Sequence, residues 1–302
     1  MASAQLTGSV TVTLENLATK STVKATSANI GSTSTITITR GNNTLTHTLT
    51  YYFKGESSTA LTGTIATKTS DISVNWTIPD SFYTKIPNSK SGTVTITCTT
   101  YSGSTSLGSN TCTLTASANS ANCKPTFNPT FVDTNNTTIA LTGNSAKMVR
   151  YYSNVKVTSN ATGNKSATIK SQTIKNGATS SSISPTTFNA VDSNDFIFTA
   201  EDSRGISNSI SKSMAMVDYV KLTCYIGNET PTADGKYTFT VRGNYFNDTF
   251  GSVKNTLTVY YRWKTNSGSY SAWKAMTLSL SNNNYTATTQ LTGLDYKTTY
   301  TF

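Results

Sequence analysis

One histidine in 302 residues, and only four cysteines, remove most of the side chains that metal and redox chemistry need. A mixed Cys/His metal site cannot be assembled around a single imidazole, and Cys98, Cys112, Cys123 and Cys224 follow no zinc spacing. Four cysteines are also too few for a disulfide scaffold. Charge is scarce as well, at 13% of residues, although Lys and Arg (24) exceed Asp and Glu (14) to give a net charge of +10. The excess would suit an anionic partner such as a polyanionic cell wall or nucleic acid. No Lys/Arg run or basic–aromatic stripe is visible along the chain, so the charge reads as solubilising and no nucleic-acid partner is expected. Nowhere do 18 apolar residues follow one another, so no transmembrane helix and no membrane partner are expected. The start, MASAQLTGSVTVTLEN, has no basic n-region, apolar core or small-residue cleavage site and is expected to carry no secretory signal.

What fills the chain instead is threonine, serine and asparagine set between isolated apolar residues. Threonine suits the pleated surface of a sheet, where a hydroxyl can face water in place of a charge. From Thr93 to Thr99, Val94, Ile96 and Cys98 alternate with threonines, and Cys112, Leu114 and Ala116 do so again after Thr111. Alternation places one apolar and one hydroxyl face on each strand. A turn folded symmetrically about Thr105 would oppose Cys98 to Cys112, Ile96 to Leu114 and Val94 to Ala116. Such a hairpin needs a second sheet over its inner face. A cross-strand disulfide or two buried thiols would both fit, with free thiols favoured. Upstream, Ile72, Val74 and Trp76 share one parity and predict a strand with its indole in the core. Pro79 ends that strand, and Asp80 and Ser81 are candidate caps for a short helix through Phe82, Tyr83 and Ile86, stopped by Pro87.

The ordered set Trp76-Thr-Ile-Pro79, Ser81-Phe82-Tyr83, Ile86-Pro87, Lys90-Ser91-Gly92 and Cys98-Thr-Thr-Tyr101-Ser-Gly103 resembles a family of minor structural proteins of long-tailed bacteriophages of Gram-positive hosts. The match is strongest over residues 30 to 130 and continues in style to about 220. The resemblance implies an all-β virion component of immunoglobulin-like modules, on the tail or tail fibre, with a role in assembly and host-surface attachment. It brings no catalytic, cofactor or metal residues.

In chain order, two short strands are expected between residues 9 and 28, then a hairpin joining Thr33–Arg40 to Thr44–Phe53 through Gly41-Asn42-Asn43, and a strand at Leu61–Thr67. That makes seven or eight strands by Ala116, the number of a sandwich. Residues 118 to 125 read as a small-residue linker. A second sandwich is expected to use Ile139–Leu141, Val149–Val157, Ser166–Ile174, Thr187–Val191, Phe196–Glu201 and Ile206–Met214. The third, from Asp218, ends in Gly293-Leu294-Asp295-Tyr296, which is similar to the fibronectin type III pattern. The predicted division is 1–122, 123–217 and 218–302, the last module lacking its final strand, so that further sequence or a neighbouring chain is expected to pair with it.

Three candidate chemistries compete with structural explanations. His47 stands on the face of Leu45 and Leu49, with no sequence neighbour to act as nucleophile or carboxylate partner. Asp192/Asp195 and Glu201/Asp202 are the close acidic pairs a glycan hydrolase would need, yet both sit in turn contexts where Asp binds its own backbone. Tyr51-Tyr52, Tyr151-Tyr152 and Tyr260-Tyr261 should each put one ring inside and one outside. The chain is therefore expected to be non-enzymatic, without cofactor, in a virion assembled in the host cytoplasm. Its expected partners are other virion proteins, copies of itself and host cell-wall glycan. The alternatives are a bacterial surface adhesin and the non-catalytic modules of a tail-associated glycan hydrolase.

Overall fold

The computed structural model describes residues 8–11, 19–54, 59–60 (backbone only), 68–227 and 235–302. The expected strand at Leu61–Thr67, and most of the one at Ser9–Asn16, lie outside them. The chain divides into two compact units: 1–126 with 161–172 and 200–208, and 127–160 with 173–199 and 209–302.

The first sandwich opens with β1 (Thr22–Ala25), β2 (Ala28–Asn29), β3 (Thr33–Thr39), β4 (Leu45–Phe53) and β5 (Thr59–Ala60). It continues with β6 (Ser73–Thr77), helix α1 (Phe82–Lys85), β7 (Ser91–Ser102) and β8 (Thr105–Ser117). One sheet has the order β1-β3-β6 and the other β2-β8-β7-β4-β5. Strand β2 lies parallel to β8, and all other pairings here are antiparallel. An opening segment shared between both sheets, with its second part parallel to the last strand, is the immunoglobulin-type arrangement. Between the sheets Trp76, Phe53 and Phe82 are fully buried, with Phe53 stacked on Phe82 at 4.0 Å and Trp76 5.2 Å from Tyr51. Trp76 thus lies in the core that the strands carrying Cys98 and Cys112 help to close, as its parity predicts.

Two local expectations are corrected in this sandwich. β3 and β4 do not form a hairpin: β3 pairs with β1 and β6, and β4 with β7 and β5. The Gly41–Thr44 connection carries the chain from one sheet to the other, so Ile36 and Ile38 face Leu49 and Phe53 across the core. A hairpin would have put both apolar faces on one sheet, while the local turn chemistry, with Asn42 Oδ1 accepting from the Thr44 N–H at 2.9 Å, serves either topology.

The β7–β8 hairpin has a different register from the symmetric one. Ile96 opposes Cys112, Val94 opposes Leu114 and Gly92 opposes Ala116. The turn is tight, pairing Ser102 with Thr105, and continued without interruption it would set Ile96 opposite Thr111. That would turn the hydroxyl face of β8 inward. An irregularity at Leu107–Gly108 inserts one residue and restores the parity. Gly108 adopts φ +104°, a conformation that suits glycine. Gly92 has a separate reason: a Cβ there would lie 2.6 Å from the Phe53 ring. At α1 the helical turn is found where expected, but Ser81 forms no side-chain cap.

The residues read as a linker contain α2 (Ser120–Cys123), capped by Asn119, and Cys123 is buried in the first core. Next come β9 (Thr130–Asp133), α3 (Asn136–Thr142), β10 (Lys147–Val149), β11 (Val155–Thr158), β12 (Ile169–Asn176) and β13 (Thr179–Ser181). β14 (Thr186–Phe188), β15 (Asp195–Asp202), β16 (Ser207–Ser213) and β17 (Ala215–Val217) complete this region. The sheets run β14-β11-β9 and β13-β12-β15-β16, with β10 parallel to β17. Phe188, Phe196, Phe198, Val155 and Val157 fill the space between the two larger sheets. The strand expected at Ile139–Leu141 is helix α3. Its β-branched composition is outweighed by its ends: Asn135 accepts from Thr137 N–H, and Gly143 closes the helix at φ +66°. The single strand expected at Val149–Val157 is broken by a turn, with Tyr151 at φ +68°.

The last region holds β18 (Tyr225–Gly227), β19 (Tyr237–Asn244), β20 (Tyr260–Tyr261), β21 (Lys264–Thr265) and β22 (Lys274–Ala275). It ends with β23 (Thr277–Ser281), β24 (Asn284–Leu291) and β25 (Tyr300–Thr301). Four of these strands form a sheet in the order β18-β19-β24-β23, opposed by the short pairs β20-β22 and β21-β25. Phe239, Val241, Tyr285, Ala287 and Tyr261 make its core. A separate cluster of Val149, Val217, Phe246 and Phe250, with Leu141 and Tyr219 against it, joins this region to the preceding strands within the second unit. The chain is thus all-β in architecture, built of immunoglobulin-like sandwiches.

Candidate functional site

His47 is the place where catalysis would be sought first, and the fold gives it a partner that its sequence neighbours do not. Ser21, from the segment entering β1, lies with its Oγ 2.8 Å from His47 Nε2. Both residues are buried, and the surrounding bonds tie strands together. Ser21 N–H donates to Thr100 Oγ1, and Asn110 Nδ2 donates to the Ser21 carbonyl. Burial pushes the His47 pKa down, which the Thr69 backbone bond partly offsets. A neutral imidazole buried beside a hydroxyl holds the end of the sandwich together.

Of the acidic pairs, Asp192 is exposed, while Asp195, Glu201 and Asp202 take structural places. Asp195 accepts from Ser213 Oγ. Glu201 and Asp202 point to opposite faces of β15. Glu201 pairs with Lys170 at 2.8 Å, which holds its carboxyl below the ordinary range. Asp202 is fully buried, and its Oδ1 accepts from the N–H groups of Arg204 and Ile206, the turn chemistry expected of it.

Sequence reasoning missed Arg204. Its side chain is buried, with Nη1 3.8 Å from Asp202 Oδ2. It donates to the carbonyls of Ile86, Asn164 and Tyr83 at 3.0, 3.0 and 3.3 Å, and also to that of Lys165. One guanidinium therefore gathers the carbonyls that end α1 and those of the 164–165 turn, all within the first unit. Five N–H donors in a rigid fork make this possible. The tetrapeptide Asp202-Ser-Arg-Gly205 reads as a turn, and nothing in it marks the arginine as buried.

The tyrosine pairs divide as predicted in two of three instances. Tyr51 and Tyr261 are buried while Tyr52 and Tyr260 are exposed. Tyr151 and Tyr152 sit in the turn before β11 and do not alternate. The four cysteines are free thiols. Cys98 opposes Asn110, because the observed register moves Cys112 opposite Ile96. Burial, with Cys112 nearby, pushes the Cys98 thiol up to about 11. Among the described residues no three His, Cys, Asp or Glu side chains gather as a metal site would require. No described helix is long and apolar enough to cross a membrane.

The most exposed chemistry lies on β20 to β22. The ladder opposes Tyr260 to Ala275 and Tyr261 to Lys274, and Arg262 and Trp273 follow just beyond its end. The Arg262 guanidinium lies 4.2 Å from the Tyr270 ring and 4.5 Å from that of Trp273. Lys264 Nζ is 5.0 Å from the Tyr270 ring. The basic–aromatic stripe that is not visible along the chain is assembled here across two strands and a turn. The local clustering of Tyr260, Arg262, Trp263 and Lys264 is the sequence signal that could have pointed to it.

A family model described as "Siphovirus protein of unknown function (DUF859)" matches residues 3–227. No curated protein matches the chain. Among solved structures, the chain is similar to Dpr2 Ig1-Ig2 in complex with DIP-Theta Ig1-Ig3, at 13% identity and TM-score 0.35, over 91% of each chain. It is also similar to the eight N-terminal Ig domains of Down Syndrome Cell Adhesion Molecule, at 10% identity and TM-score 0.32, over 88% of this chain and 31% of that one. The Bacteroides ovatus SGBP-B in complex with a mixed-linkage heptasaccharide matches at 10% identity and TM-score 0.23, over 89% of this chain and 57% of that one. At these scores the strand order above, and not the likeness, carries the assignment of sandwiches.

Proposed function

Since the chain belongs to the siphovirus protein family that matches its residues 3–227, we propose that it is a structural component of the phage virion, carried on the tail or tail fibre. Family membership is the observation that carries this reading, and the architecture supports it. Three modules, 1–122, 123–217 and 218–302, act as rigid spacers whose hydroxyl-rich faces stay in water while edges and loops make assembly contacts. The partners are other virion proteins, further copies of the chain and the host surface. The chain contributes no catalysis of its own: His47, Asp195, Glu201 and Asp202 each hold a neighbouring side chain or the backbone.

Purified particles probed with antibody against the chain, by immunogold labelling and by mass spectrometry of their proteins, test this reading. Gold at the tail and a constant amount of the chain per particle are expected. Particles that lack it, while infected cells contain it, would exclude a virion role.

A further inference from the structure

We propose that the cleft between Tyr260 and Trp273, with Arg262 and Lys264 beside it, binds an anionic glycan, meaning sugar rings that carry carboxylate or phosphate groups. This rests on the reading of the chain as a virion component that meets the host surface, and names the place and chemistry of that contact. Tyr260 is 56% and Trp273 60% exposed, large values for rings of this size on one face of a sheet. Among the described residues, these two line an open depression of about 500 Å³. Arg262 and Tyr270 border the adjoining depression, so the two ring faces stand beside a fixed positive charge. Such walls suit a flat ring with polar edges, whose C–H groups meet the aromatic face while its hydroxyls stay in water.

The cations decide the charge of the guest. Arg262 is held between the rings of Tyr270 and Trp273, and Lys264 lies over Tyr270. Ring contacts fix where these charges stand without neutralising them, and neither cation has an ion pair among the described residues. A second copy of the chain, at a net charge of +10, would bring like charge to this face. Single-stranded nucleic acid is gripped by successive stacking rings along a continuous basic groove, whereas here there is one two-ring cleft and a pair of cations.

Calorimetric titration of the 302-residue chain with an oligogalacturonate pentamer, with neutral cellopentaose and with oligo(dT) tests the proposal. The pentamer is expected to bind best, more weakly as salt is raised. Trp273→Ala and Arg262→Gln should each weaken it by about tenfold or more, and Tyr52→Ala on the first sandwich should change nothing. Arg262→Gln, which leaves both cleft rings in place, keeps the test sound if the tryptophan variant folds poorly. Absence of pentamer binding, equal binding of cellopentaose, tighter binding of oligo(dT), or indifference to both variants would each overturn it. Labelled particles combined with no glycan binding would reject this inference alone. Glycan binding by a chain missing from particles would reject the virion reading alone.

Discussion

The first sandwich and the last are built from the same materials and treat them in opposite ways. In the first, β7 and β8 run for 12 and 13 residues, and β7 pairs along its length on both sides. Its tryptophan, Trp76, is fully buried and its rings pack on one another. In the last, β20, β21, β22 and β25 each have two residues, and Trp273 stands 60% exposed against a guanidinium. Long strands commit alternate residues to a closed core. Short ones leave rings on the outside, where they can meet a partner. An aromatic residue in this chain is therefore buried or exposed according to where the fold places it, and not according to its type.

The sharpest way to break that contrast is to remove the buried ring. Trp76→Ala should cost about 3–5 kcal/mol, read as a shift of the urea midpoint for the first sandwich, because the cavity it leaves cannot collapse. A loss below about 1 kcal/mol would mean that the first core is no better filled than the last. Next in size is Arg204→Ala, which leaves Asp202 in the interior without its cation and removes one donor from each of four carbonyls. About 3 kcal/mol is expected, and Arg204→Lys should recover only part of it, since an ammonium cannot reach all the carbonyls at once. Full recovery by lysine would show that charge alone matters at this site.

A third measurement uses Cys98. An acid whose folded pKa is raised favours the folded state only while it stays protonated. The full contribution is present below the unfolded thiol value of 9.0 and is lost progressively as pH rises toward about 11. The first sandwich should lose stability through that window, and Cys98→Ser should flatten the loss. Under native conditions Cys224, which is exposed, should react with a thiol reagent long before Cys98 or Cys123. Gly108→Ala comes next, at about 1–2 kcal/mol, since a Cβ at φ +104° is strained and would also lie 2.9 Å from Lys20 Cδ. The smallest effect belongs to the other tryptophan: Trp273→Ala should shift stability by no more than about 0.5 kcal/mol. A loss comparable to that of Trp76→Ala would place Trp273 in a core and end the comparison.

Much of the fold was legible because sheet parity is a local property. Alternation along Val94–Cys98, along Phe196–Ala200 and through Val74 and Trp76 was enough to say which side chains are inside, since successive residues in a strand must face opposite ways. The helical turn at Phe82 and the turn role of Asp202 follow from proline and aspartate chemistry within a few residues. Which strand pairs with which was not legible. The Gly41-Asn42-Asn43 connection has the chemistry of a hairpin whether it stays in one sheet or crosses between two, and only the burial of both apolar faces decides. The β7–β8 register needed an extra residue that no local rule demanded, because the gain from keeping Leu114 and Cys112 inward appears only once the opposite sheet is in place. Arg204 and the Trp273 cleft were hidden for the same reason. Their partners, Tyr83, Ile86 and Asn164 for the one and Arg262 for the other, stand 11 to 121 residues away in pairings that the backbone path alone creates. Composition and alternation determined that the chain is built of sandwiches with buried rings. The tertiary pairing decided where a buried charge locks the first unit and where two rings are left facing water, because contact energies depend on neighbours in space that the order of residues does not reveal.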